Sequence, residues 1–156
     1  MTSDQQKIKS LLTTLLGGQV RLTSSIYDET YEILPATEEE INVFRKKANA
    51  LQVPQIVIDQ LTDLYKIANH FYFITVLGFH HCTDEAIFEW WNDKELWLSQ
   101  RDFYTVRWTY NKFCLGEAGN VSFSKEHEFD TLIELIEGSI KEIRAAGDYD
   151  KIDNHD

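Results

Sequence analysis

The sequence predicts an α+β fold, a single domain with a mostly antiparallel central sheet and helices packed around it. Three observations predict it. Apolar residues recur at three- and four-residue steps near the start, through the first half and again near the end of the chain. Between the second and third of these regions lie short aromatic and β-branched runs separated by Asn, Gly and Asp turns. The length, 156 residues with 43% apolar and 26% charged, suits one globular unit and not a disordered chain.

The elements follow in order. Ile8, Leu11, Leu12 and Leu15 share a helical face and Gly17-Gly18 supplies a stop, so residues 4–16 are predicted as an N-terminal helical extension. Residues 19–33 have no clean period, and Val20, Leu22, Ile26 and Tyr31 to Leu34 are candidates for short strand pieces. Thr37 with Glu40 forms a capping-box signature, and Glu38, Glu39 and Glu40 suit the positive end of a helix dipole. Ile41, Phe44, Ala48 and Leu51 then give a helix over residues 37–51. Pro54 opens another, with Val57, Leu61, Leu64, Tyr65 and Ala68 as its stripe. Phe71 to Phe79 reads as one buried strand. Asp84 to Trp91 is ambiguous, whereas Leu96–Leu98, Phe103–Trp108, Phe113–Leu115 and Val121–Phe123 read as short strands. Phe129, Leu132, Ile133, Ile136, Ile140 and Ile143 predict a closing helix that ends at Gly147, followed by an acidic tail over residues 147–156.

Charge narrows the function classes. With 26 Asp and Glu against 15 Lys and Arg, the formal net charge is −11. Phosphate backbones and anionic membrane surfaces both reward clustered cations, so neither direct nucleic-acid binding nor membrane association is expected, while a basic protein partner is favoured. The polar N-terminus shows no signal peptide and predicts a cytoplasmic protein, with Cys82 and Cys114 as free thiols and the sequon Asn120-Val121-Ser122 unmodified.

Several motifs quoted in chain order carry a family resemblance. They are Leu34-Pro35 before the acidic helix start, Val53-Pro54 before the next helix, and Leu64-Tyr65 through Asn69-His70-Phe71. Further on come Leu96-Trp97-Leu98, Arg101-Asp102-Phe103, and Lys112-Phe113-Cys114-Leu115-Gly116-Glu117-Ala118-Gly119-Asn120-Val121-Ser122-Phe123. Over residues 34–143 the chain resembles the SUKH superfamily, which includes the yeast cell-wall-synthesis regulator, the bacterial Syd protein and many bacterial immunity proteins. The resemblance implies a helix, helix, sheet, helix plan and a binding function, since the family has no shared catalytic motif.

Sites of other chemistry compete poorly. His80-His81-Cys82 offers zinc-ligand types, but adjacent residues on a strand face opposite ways, and His70, Cys114 and His127 lack the paired short spacing of metal motifs. No metal, cofactor or catalytic residue is predicted. Cys114 sits in an apolar run that favours an inert thiol, and carboxylate pairs arise by accident in so acidic a chain. Gly116-Glu117-Ala118-Gly119 resembles a phosphate loop, but its glutamate would repel phosphate, and a tight turn is the simpler reading.

The richest segment interleaves Asp84, Glu85, Glu89, Asp93 and Glu95 with Trp90, Trp91 and Trp97. Tryptophan anchors ringed by carboxylates suit an interface with a basic partner. The competing reading makes Trp90 and Trp97 core residues and the acids a solvated face. The expected function is that of an immunity protein, or antitoxin, which occludes the active site of a cognate secreted polymorphic toxin of basic, nuclease type. A cytosolic regulatory scaffold for an endogenous protein is the alternative, and a small hydrolase using His80, His81 and Cys82 a third.

Overall fold

The computed structural model describes residues 1–19, 33–73, 77–101, 104–117 and 127–145. Helix α1 (Ser3–Gln19) turns Ile8, Leu12 and Leu15 into the core against α3 and α4. It runs through Gly17-Gly18 instead of stopping at residue 16. Glycine costs about 1 kcal/mol inside a helix without forbidding it, and packing of the apolar face outweighs that cost.

Helix α2 (Glu38–Ala50) begins with the expected capping box: Thr37 Oγ1 accepts from the Glu40 amide at 3.2 Å, and Glu40 Oε1 accepts from the Thr37 amide at 2.8 Å. These bonds hold the Glu40 carboxyl below its ordinary value, the backbone bond from Thr37 contributing most. Pro54 precedes α3 (Gln55–Tyr65), whose Val57, Ile58, Leu61, Leu64 and Tyr65 are buried. The Ala36 amide donates to Tyr65 O at 2.9 Å and the Asn69 amide to Leu34 O at 2.8 Å, so the segment entering α2 is tied to the end of α3.

The run from Phe71 to Phe79 is not one strand. It contains β1 (Phe71–Phe73) and β2 (Leu77–Phe79), paired antiparallel with Phe71 opposite Phe79. Strands β3 (Leu96–Arg101), β4 (Tyr104–Thr109), β5 (Lys112–Glu117) and β6 (Glu128–Phe129) form an antiparallel meander in sequence order. The register of β3 on β4 shifts between Trp97 and Ser99, and the Leu98 carbonyl at that bulge accepts from the His80 amide at 2.8 Å. This bond ties the chain just beyond β2 to β3. Tyr110 and Asn111, both at positive φ, make the two-residue turn between β4 and β5.

The closing helix α4 (Leu132–Ala145) starts later than its periodicity suggests, because Phe129 belongs to β6, opposite Phe113. Asp130 and Thr131 separate the two elements. Thr131 Oγ1 accepts from the Glu134 amide at 3.2 Å, which starts the helix there. Helix α4 packs on β5, β6 and α1. At Gly138 a Cβ would lie 2.4 Å from Phe129 Cζ, so glycine lets the ring seat against the helix. The described portions of the chain thus form an α+β fold, with helices around an antiparallel sheet. The expected strand Val121–Phe123, the strand pieces within residues 20–32 and the acidic tail lie outside the described residues.

Candidate functional site

The segment between β2 and β3 folds as two 3-10 turns, Glu85–Phe88 and Trp91–Asp93. Asp84 starts the first by accepting from the Ala86 amide at 2.9 Å. The Trp90 carbonyl closes the second by accepting from the Asp93 and Glu95 amides at 3.0 and 3.2 Å, and Lys94 takes the left-handed conformation at φ 63° that lets the chain reverse into β3. These short-range bonds shape the backbone of the segment, and the eight predicted site residues along it fall into distinct environments.

Trp91 is a core residue, which corrects its expected role as a contact anchor. It is only 7% exposed, its Nε1 donates to Leu51 O at 2.8 Å, and its ring stacks on Trp108 with centroids 6.3 Å apart. Trp90 is the opposite case, at 44% exposed, and so departs from the competing reading that made it core. Its ring stacks on half-buried Trp97 at 5.7 Å. Trp97 is held in turn from inside the chain. Its Nε1 donates to Glu95 Oε1 at 2.9 Å, and the guanidinium of buried Arg107 lies 5.3 Å from its ring centroid and 3.7 Å from the same carboxylate oxygen. The β3–β4 register makes this possible by setting Trp97 opposite Arg107.

The carboxylates divide likewise. Glu85, Glu89 and Asp93 are exposed. Glu95 faces Arg107 of its own chain instead of a partner, and half-exposed Asp84 is used by the turn and by His80 Nδ1 at 3.8 Å. Glu85 and Glu89 of this exposed set line a shallow cleft of about 530 Å³ together with Lys47, Leu51, Ala86 and Phe88. Lys47 lies over the Phe88 ring at 5.3 Å. Lys47 of α2, Leu51 just past its end and Arg107 of β4 join this corner, and no local sequence signal placed them there.

A second polar cluster lies beneath. Asn69 Oδ1 accepts from the Cys82 amide at 2.9 Å, while its Nδ2 donates to Glu40 Oε2 at 3.3 Å and lies 3.2 Å from His81 Nδ1. His70 and His81 stack at 4.4 Å. Burial first, then the neighbouring imidazoles, lowers the His70 pKa; for His80, burial outweighs the opposing pull of Asp84. Burial pushes the Cys82 thiol up to about 11, with Glu40 adding to it, and the Cys114 thiol also to about 11, with Glu128 adding to it. Thiols so poised are protonated at neutral pH and make poor nucleophiles. His80 and His81 follow β2 and are not part of it, and among the described residues no group of three or more His, Cys, Asp or Glu is arranged to hold a metal ion. Gly116 and Glu117 end strand β5, paired with Thr105 and Tyr104. Among the described residues no helix is long and apolar enough to cross a membrane.

No protein-family model, no curated protein and no solved structure matches this chain. The corner itself offers chemistry for binding: an exposed indole stacked on Trp97, which buried Arg107 and half-buried Glu95 hold from the other side, with three exposed carboxylates in the same short segment.

Proposed function

We propose that this chain is a cytoplasmic immunity protein, which binds a cognate secreted toxin of basic, nuclease type and blocks it stoichiometrically. The observation that carries the reading is Trp90, a large exposed ring stacked on an internally braced Trp97 among Glu85, Glu89 and Asp93. A rigid aromatic anchor loses little conformational entropy on binding, and desolvation at its centre is where hot-spot energy concentrates. The net charge of −11 supports a basic partner, because it steers such a partner during diffusional encounter. A nuclease must present cations to its phosphate substrate, so an acidic surface can fill that groove in place of nucleic acid. The SUKH resemblance supports the same class of function. In this mechanism Trp90 anchors the contact, Glu85, Glu89 and Asp93 meet partner cations, and Trp91, Trp97 and Glu95 hold the surface in shape.

Charge reversal tests the assignment. The pair Glu89→Lys and Asp93→Lys should slow association with the toxin and flatten its dependence on salt, with dissociation changed less. Unaltered association at every ionic strength would remove this surface from the mechanism. Gene deletion separates immunity from scaffolding: immunity predicts growth arrest that disappears when the neighbouring toxin gene is also deleted, and arrest that persists contradicts it.

A further inference from the structure

Residues of α1, α3 and the start of α4 line an apolar groove of about 440 Å³ that shares no residue with the Trp90 corner. Its lining includes Ile8, Ile56, Leu132 and Ile133, and Ile56 is 70% exposed on its edge. The volume lies within the roughly 300–1,000 Å³ usual for ligand sites. Its charged lining is of one sign: Asp4, Asp63 and Glu134, with no lysine or arginine among the residues that line it. Lys7, also on α1, is paired with Glu137 at 3.6 Å.

We infer that this groove docks a basic amphipathic segment of a partner protein, with aliphatic side chains seated between Ile56 and Ile133 and Lys or Arg side chains meeting Asp4, Asp63 and Glu134. Charge complementarity selects this occupant. A second copy of the chain would bring another net charge of −11, and the chain's own C-terminal ten residues hold four Asp and one Lys, so both carry the wrong sign. An anionic ligand is disfavoured at the helix start too, since the Leu132 amide already donates to Gln60 Oε1 at 2.9 Å and the Glu134 amide to Thr131 Oγ1. A short amphipathic helix laid in an apolar groove is a common mode of peptide recognition. The inference is independent of the Trp90 surface.

The test is an NMR titration of the full-length, isotope-labelled protein with a helix-forming Leu/Lys peptide bearing Leu at i, i+3, i+4 and i+7, and with its Leu/Glu counterpart. The Leu/Lys peptide should shift the amides of Ile8, Ile56, Leu132 and Ile133 saturably, and the Leu/Glu peptide should not. Ile56→Lys should weaken binding by roughly tenfold or more. Because Ile56 is exposed, the fold should survive; Glu134→Gln, with a smaller loss and a reduced salt dependence, is the second check. Trp90→Ala should leave the titration unchanged, so failure here and failure of the Trp90 surface are told apart. Equal binding of the Leu/Glu peptide, shifts spread over the acidic surface that ignore Ile56→Lys, or filling of the groove by an unlabelled second copy would each overturn the inference.

Discussion

Adjacent tryptophans in this chain should behave as opposites. Truncating Trp91 removes a ring that is 7% exposed and stacked on Trp108, and buried Trp-to-Ala changes cost about 3–5 kcal/mol. Against a total stability of about 5–15 kcal/mol, that is enough to unfold a large fraction of a marginal protein. Trp91→Phe keeps most of the apolar area but deletes the Nε1 donor to Leu51 O, which should cost about 1–3 kcal/mol as the carbonyl loses its partner. Trp90→Ala loses a stack on Trp97 at a half-exposed position, worth about 0.5–1.5 kcal/mol. Urea unfolding followed by far-UV circular dichroism gives all three from the midpoints at constant m-value. The expected order of cost is Trp91→Ala, then Trp91→Phe, then Trp90→Ala. A Trp90→Ala loss equal to that of Trp91→Ala would refute the division into anchor and core.

Three further outcomes follow from the packing and the titrating groups. Gly138→Ala should lower stability by about 1–3 kcal/mol despite alanine's better helix propensity, because Phe129 occupies the space of the new Cβ, and adding Phe129→Leu should recover part of the loss in thermal melts. The folded pKa values of His70 and His80 lie below the unfolded value of about 6.5, so their contribution to stability is present above that value and is lost as pH falls through the folded values; His80→Gln should flatten the fall in stability as pH drops below about 6.5, and an unchanged slope would contradict the burial of that imidazole. Cys82 and Cys114, each pushed up to about 11, should react slowly with a disulfide reagent at pH 8 in the native protein and quickly in denaturant; rapid labelling of Cys82 in the native state would restore the thiol chemistry set aside above.

Much of the fold was legible because short-range rules acted alone. Thr37 and Glu40 announced α2, Pro54 announced α3, and the stripes Ile41, Phe44, Ala48 and Val57, Leu61, Leu64 faced inward as spaced. Sequence reasoning lost ground where two elements share one hydrophobic run. Phe71 to Phe79 hides a hairpin because no strong turn former interrupts it, and Phe129 keeps helical spacing with Leu132 and Ile133 although pairing with Phe113 claims it for the sheet. The site was half legible. Composition marked the segment 84–97, but which indole faces out was decided by Leu51, Arg107 and Trp108, which meet the segment only in the folded chain. Long-range register, through the bulge at Leu98, is what places Arg107 behind Trp97, and no local periodicity encodes it.

The most direct test of the central claim is an affinity capture from the native host run in parallel with the wild-type protein and with Trp90→Ala, Glu89→Lys and Asp93→Lys combined, at moderate and high salt. The wild type should retain one polypeptide with a basic domain in stoichiometric amount, high salt or the triple substitution should release it, and the captured domain should lose its toxic activity when the wild type is added back. Equal capture by both proteins, or a captured polypeptide whose activity the wild type leaves intact, would contradict it.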